Sequence, residues 1–168
     1  MKPLPRDRER RGALVVEAAV VLPLLIIVML GVWEVGRMIQ VKQMLVNSAR
    51  EGARLAAGGY TVNSAPVTQA MVTQACKDYL RGAGLPAATY NGAEVTLTCM
   101  ASPSWVNPHD AEPLDRFRLR VRIPPGPAYE GTRWSFLPKL TAINELDAQV
   151  DWVSLNNEEI NIDSNLPL

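Results

Sequence analysis

The longest hydrophobic stretch of the chain lies close to its N-terminus. Residues 18–33 carry no charged side chain, and the only acids between residues 13 and 35 are Glu17 and Glu34. About 20 such residues are enough to cross the hydrocarbon core of a bilayer as a helix. The pattern therefore predicts one transmembrane helix over residues 13–36.

The helical spacing continues beyond this predicted span. From Met38 onwards, apolar or small residues recur every three or four positions with basic residues between them, which is typical of a helix with one buried face. The pair Gly58-Gly59 is expected to end it. One long helix over residues 13–57 is predicted, with residues 37–59 as the extracytoplasmic continuation of the membrane span.

Alternating patterns later in the chain predict an antiparallel sheet. Residues 115–123 begin with Asp115 and then alternate strictly between arginines and apolar side chains, while residues 94–100 and 146–152 alternate less strictly. One face of each strand is expected to pack on the core. The arginine face is expected to lie in solvent, to pair with the acids Asp147 and Asp151 across the sheet, or to bind an acidic partner.

The remaining pattern completes an α+β architecture, in which the long N-terminal helix packs on a small antiparallel sheet. Residues 64–81 predict a second helix with Ser64 as its N-cap, while residues 130–144 are ambiguous. These elements form a periplasmic domain over residues 60–155. Residues 156–168 form a polar tail that is expected to be loose.

Charge predicts the orientation of the anchor. Residues 1–12 contain five bases and two acids, which favours a cytoplasmic leader and an outer domain on the other side of the membrane. The bases that follow the span, among them Arg37 and Lys42, oppose this reading. A cleaved secretory signal is the alternative, but the apolar run is long, an acid interrupts its start and no small-x-small cleavage site follows it.

The chain has two cysteines, Cys76 and Cys99, and both follow the anchor. Neither lies in a CxxC motif or in a cluster with metal-ligand spacing. An even count outside the membrane favours one disulfide in an oxidising compartment. Two free thiols in the core are the alternative.

The sequence offers no support for catalysis. Its one histidine, His109, lies in a loop rich in serine, proline and asparagine, and the motifs of nucleotide-binding, hydrolase and zinc-protease sites are absent. The acidic tail lacks the spacing of a calcium loop. We expect no enzymatic activity, catalytic residue, cofactor, metal, nucleic acid or small-molecule substrate.

Glu17 is the unusual residue of the anchor, because an acid in a transmembrane segment needs a partner or a route to the headgroups. It follows Arg10-Arg11-Gly12 by five positions, in the order Ala13-Leu14-Val15-Val16-Glu17. This arrangement resembles a type IV prepilin processing site. The resemblance implies that a prepilin peptidase cuts between Gly12 and Ala13, and that Glu17 pairs with the terminal amine of a neighbouring subunit.

Residues 10–59 further resemble the TadE-like family of Tad (tight adherence) pilus assembly proteins. The resemblance lies in the basic-glycine start, the Val-Glu step, the leucine-rich run after Leu22-Pro23 and two later motifs. The motif residues are Glu34, Gly36, Arg37, Asn47, Ala49, Arg50, Glu51, Gly52, Ala53 and Arg54.

This resemblance implies a minor pseudopilin that assembles or primes a Tad/Flp-type pilus for adhesion and surface attachment. The implied partners are the prepilin peptidase, other pilins and pseudopilins, and the pilus assembly platform. The implied location is the bacterial inner membrane, with a cytoplasmic N-terminus and a periplasmic C-terminal domain, or the pilus itself. The alternative is an unprocessed bitopic membrane scaffold whose periplasmic domain binds a partner.

Overall fold

The computed structural model describes residues 6–59, 65–101, 104–132 and 145–155. Within them the elements follow in chain order: helix α1 at Arg6–Ala57, helix α2 at Gln69–Gly82, helix α3 at Ala87–Gly92, strand β1 at Glu94–Cys99, a 3-10 turn at Pro108–Asp110, strand β2 at Arg116–Ile123, helix α4 at Pro127–Glu130 and strand β3 at Leu146–Val153. The predicted α+β class is confirmed.

Helix α1 is a single element of 52 residues. At 1.5 Å per residue it is about 78 Å long. It ends at Ala57, as the glycine pair predicted, but it begins at Arg6 instead of residue 13 and continues helically through Pro23. By length and composition, its apolar part is a candidate membrane span.

The two halves of α1 lie in different surroundings. Side chains 14–29 are exposed on every side of the helix. Among the side chains that the structure describes, the first buried one is that of Glu34, which is 1% exposed. Further along, Val41, Leu45 and Ala49 are fully buried. The helix is therefore bare over its apolar half and becomes part of a domain core over its second half.

The sheet has the order β1-β2-β3, with both pairs antiparallel. Its inner face packs on the second half of α1. The four apolar side chains of β2 on this face are fully buried: Phe117, Leu119, Val121 and Ile123. The strict alternation in the sequence predicted this face correctly. It also predicted the strand, which the structure places within one residue of the expected limits.

Helix α2 begins later than its pattern suggested. Its N-cap is Thr68, whose Oγ1 accepts a hydrogen bond from the Met71 amide at 3.4 Å, whereas the proposed cap Ser64 lies outside the described residues. The amide of Val67 donates to the Gly59 carbonyl at 2.9 Å, which keeps the chain extended just before the helix. The predicted tail and most of the ambiguous segment 130–144 also lie outside the described residues.

At Gly52, α1 lies in close contact with both α2 and β2. A Cβ placed there would meet the Cys76 sulfur and would lie 2.8 Å from Leu119 Cδ2, and both of these residues are fully buried. Only a residue without a side chain allows this approach. Gly36, on the same helix, has no atom within 4 Å of such a Cβ.

Gly52→Ala is therefore expected to destabilise the outer domain by about 1–3 kcal/mol through overpacking. The matched variant Gly36→Ala adds the same methyl group in open space, and it should be neutral or stabilising by up to about 1 kcal/mol. Thermal unfolding of the full-length protein in detergent, followed by circular dichroism, measures both. Equal stability of the two variants would contradict the packing described here.

Candidate functional site: the faces of helix α1

Gly12 and Ala13 lie within α1, and Gly12 is exposed. A protease binds its substrate in an extended form, so a cut between these residues requires the surrounding turn to unwind first. Glycine lowers that cost, because it is about 1 kcal/mol less favourable than alanine in a helix interior. Gly12 thus lies at the surface, while the bond that joins it to Ala13 is held in helical form.

Glu17 is exposed on the bare part of α1. The side chains one turn away on its own face, Leu14, Val20 and Val21, are apolar and exposed. No ion pair to Glu17 is found among the side chains that the structure describes. Among the side chains that are described on α1, those around Glu17 are therefore apolar and offer its carboxylate no opposite charge.

Glu34, Gly36 and Arg37 mark the place where the domain first covers the helix. Glu34 is buried, whereas Gly36 beside it is exposed. The Arg37 side chain donates to the Thr132 carbonyl at 3.4 Å and to Gln40 Oε1 at 3.1 Å. Arg37 thus connects α1 to the segment that follows α4. The burial of Glu34 was not predicted from the sequence.

The motif from Asn47 to Arg54 divides between two faces of the helix. Ala49, Gly52 and Ala53 are buried against the domain. Asn47 and Arg50 are exposed and line a surface groove of about 360 Å³.

Glu51 and Arg54 pair with each other, with Arg54 Nη2 and Glu51 Oε1 2.7 Å apart. That hydrogen bond lowers the pKa of Glu51. The pair closes within one turn of the helix. Asn47 and Arg50 are the other exposed residues of this motif, and neither packs against the domain.

The arginines of β2 are paired across the sheet, as one of the sequence interpretations predicted. Arg118 Nε and Asp151 Oδ1 are 2.6 Å apart, and Arg120 Nη2 lies 3.0 Å from Asp147 Oδ2. The hydrogen bond from Arg118 lowers the pKa of Asp151. Arg122 pairs with Glu94 and Glu145. This face is therefore close to electrically neutral and does not form a basic surface for an acidic ligand.

The predicted disulfide is not present in the structure, where Cys76 and Cys99 are both free. The buried Cys76 thiol faces α1 and lies 3.5 Å from the Ser48 carbonyl, whereas the Cys99 sulfur accepts from the Ala101 amide at 3.3 Å. Cys76 is thus directed into the contact between α1 and α2, and Cys99 to the loop after β1. Burial raises the pKa of Cys76 to about 11, so its thiol is neutral at physiological pH.

His109 has a structural position. Its Nδ1 is 3.0 Å from the Val67 carbonyl, and its Nε2 lies 3.2 Å from Asp110 Oδ1. The described residues hold no group of three or more His, Cys, Asp or Glu side chains suited to a metal ion.

A profile of the family described as TadE-like protein matches residues 12–54, about a quarter of the 168 residues. No significant match was found among curated proteins or among solved structures. The matched segment starts at the proposed processing glycine and ends at Arg54, so it covers the bare half of α1 together with its domain-packed half. The chain therefore carries a TadE-like domain over residues 12–54, and this domain implies involvement in the assembly of a Tad pilus.

Proposed function

We propose that the protein is a minor pseudopilin of a Tad/Flp-type pilus, without enzymatic activity of its own. Its anchor crosses the bacterial inner membrane, with the N-terminus in the cytoplasm and the outer domain in the periplasm. Its partners are a prepilin peptidase, other pilins and pseudopilins, and the assembly platform. The observation that carries this proposal is Glu17, an acid on an apolar helix surface five residues after Gly12.

The depth of Glu17 follows from the position of Glu34. Because the domain covers Glu34, that residue lies outside the bilayer. A hydrocarbon core of about 30 Å takes about 20 helical residues, so its cytoplasmic boundary falls near Leu14. Glu17 then lies about 5 Å inside the hydrocarbon. At that depth a positively charged partner stabilises the carboxylate. The described side chains around Glu17 include no such partner, so we expect another chain to supply it.

Processing would supply that partner. A cut after Gly12 creates a positive amine at Ala13, four residues before Glu17 and about 6 Å from it along the helix axis. A neighbouring copy displaced by about 6 Å brings the amine of one chain level with the carboxylate of the other. Such a pair removes an uncompensated acid from the lipid and fixes the axial register of the two subunits.

One observation favours the alternative of an unprocessed bitopic scaffold. Helix α1 runs without interruption from Arg6 across Gly12 and Ala13, so the bond to be cut is held in helical form. A scaffold would keep this helix intact and would use the outer domain alone to bind its partner. The two functions differ in the N-terminus of the protein in cells and in the need for Glu17.

The N-terminus tests processing directly. In cells that express the prepilin peptidase, mass spectrometry of the membrane-extracted protein is expected to show a chain that begins at Ala13. Deletion of the peptidase should restore the longer form that carries residues 1–12. A chain that still begins at Met1 in the presence of the peptidase would sink the processed pseudopilin and leave the scaffold.

Glu17→Gln tests the role of the acid. It removes the charge at nearly constant volume, so membrane insertion and the outer domain should be retained while pilus assembly falls at least about tenfold, because the pair with the amine is lost. Glu17→Asp keeps the carboxylate and should retain more assembly than Glu17→Gln. Piliated cells counted by electron microscopy provide the measurement. Full piliation with Glu17→Gln would rule out the proposed pair.

A further inference from the structure

The second half of α1 carries an exposed groove that the packing of the domain does not explain. We call this surface the helix groove. Its volume is about 360 Å³, and it is lined by Lys42, Gln43, Val46, Asn47 and Arg50. Val46 is half-buried, whereas the four polar side chains around it are exposed. The groove thus combines an apolar floor with a polar rim.

The charge of the helix groove is positive. It contains two bases and no acid. Lys42 donates to the Asp147 carbonyl and lies 3.8 Å from Asp147 Oδ1. Arg50 has no hydrogen bond or ion pair with any residue that the structure describes. An occupant of the groove is therefore expected to present carboxylates to Arg50 and an apolar group to Val46.

The same chain has a surface with these properties in the loop between β1 and β2. This acidic loop is defined here by Val106, Asp110, Glu112, Leu114 and Asp115. Val106 and Leu114 are each 72% exposed, and the three acids between and beside them line a surface with no base among its lining residues. The loop thus projects apolar side chains flanked by carboxylates.

The loop is held in place before any partner arrives. Trp105 packs edge-on against Phe117 with ring centroids 5.9 Å apart, and His109 bonds to the Val67 carbonyl. Leu114 has a φ of +70°, and its amide donates to the Ser154 carbonyl at 2.8 Å. A bulky residue in this left-handed conformation is unfavourable unless its surroundings impose it. The result is a rigid segment that keeps Leu114 in solvent.

We propose that the helix groove of one copy binds the acidic loop of a second copy. Arg50 and Lys42 then face Glu112 and its neighbouring acids, while Val46 meets the exposed apolar side chains of the loop. Because two different surfaces meet, the contact is heterologous, and each copy still offers one free surface of each kind. Contacts of this kind extend into open chains of subunits instead of closing into a dimer.

The heights of the two surfaces set the axial displacement between the copies. The Ser154 amide donates to the Asp115 carbonyl, and the Leu155 amide donates to the Ala57 carbonyl, both at 2.8 Å. The acidic loop therefore lies level with the end of α1, whereas Val46 lies eleven residues, or roughly 16 Å, closer to the membrane. Two parallel copies anchored at equal depth do not bring these surfaces together.

The contact thus belongs to copies that are shifted along the helix axis by roughly 16 Å. This is more than the shift of about 6 Å that joins Glu17 to a neighbouring amine, so the groove contact involves a different neighbour. Only the use of this shift in a filament rests on the proposed function. The contact between groove and loop is argued from the charge and the exposed apolar side chains of the two surfaces, and it does not depend on that function.

Charge exchange between the two surfaces tests the contact. The full-length protein carrying Glu17→Gln, which removes the acid from the membrane span, is studied in detergent, where no bilayer holds the copies at one height. Sedimentation velocity is expected to show self-association that weakens between about 0.1 and 1 M salt, as the Debye length falls from about 10 to about 3 Å. Arg50→Glu or Glu112→Arg alone should weaken it at least about tenfold.

The mixture of the two variants is the decisive sample. The new carboxylate at position 50 of one copy then faces the new guanidinium at position 112 of the other. The remaining native surfaces also match, so association should return to within about threefold of the parent. Arg81→Glu makes the same charge change on α2, outside both surfaces, and should leave association unchanged. A protein that stays monomeric, association indifferent to salt, or a mixture that fails to recover would overturn the proposal.

These outcomes are independent of pilus formation, because the experiment uses neither peptidase nor assembled pili. Arg50 and Glu112 are exposed, so their substitution leaves the core untouched, and unchanged circular dichroism checks this. Failure of the proposed function would show in the N-terminus and in piliation. Failure of the groove contact would show in sedimentation alone.

Discussion

At Gly52, helix α1 approaches Cys76 and Leu119 so closely that no side chain fits between them. This close approach lets one helix serve as the central element of the outer domain while it continues into an apolar stretch with no domain around it. The small residues Ala49 and Ala53 extend the same contact along the helix. The anchor and the central helix of the domain are thus one continuous helix.

The same packing decides which parts of α1 remain available to partners. The domain covers one side of the helix from Glu34 onwards, and the opposite side keeps Asn47 and Arg50 in solvent. Over residues 14–29 every side is open, including the one that carries Glu17. The TadE-like segment therefore presents two kinds of surface, an apolar one with an acid and a polar one with bases, on a single rigid rod.

Several features of the fold could be predicted because they depend on local pattern. Strict alternation around Leu119 gave β2 and its buried face, the glycine pair after Ala57 gave the end of α1, and opposite charges gave the pairing of Arg118 with Asp151. Resemblance in the first third of the chain predicted the match of residues 12–54 to the TadE-like profile. Each of these signals is carried by neighbouring residues or by one strand pair.

Other features depend on how elements that are distant in the sequence pack against each other, and local sequence patterns do not predict that packing. An even number of cysteines suggested a disulfide, but Cys76 faces α1 while Cys99 turns to its own loop. The start of α2 is set by the bond from Val67 to Gly59 and by the cap at Thr68, and the burial of Glu34 is set by the domain above it.

We expect α1 to be one helix that is divided at Glu34 between lipid and the outer domain. Spin labels placed singly at positions 14–57, in a chain with Cys76→Ala and Cys99→Ala and in lipid nanodiscs, test it through their accessibility to oxygen. We expect lipid exposure at every position from 14 to 29, whichever face it lies on. From residue 34 we expect a period of about 3.6 residues with minima at Val41, Leu45, Ala49 and Ala53. A one-sided period over residues 14–29, or exposure to water there, would contradict this division of the helix.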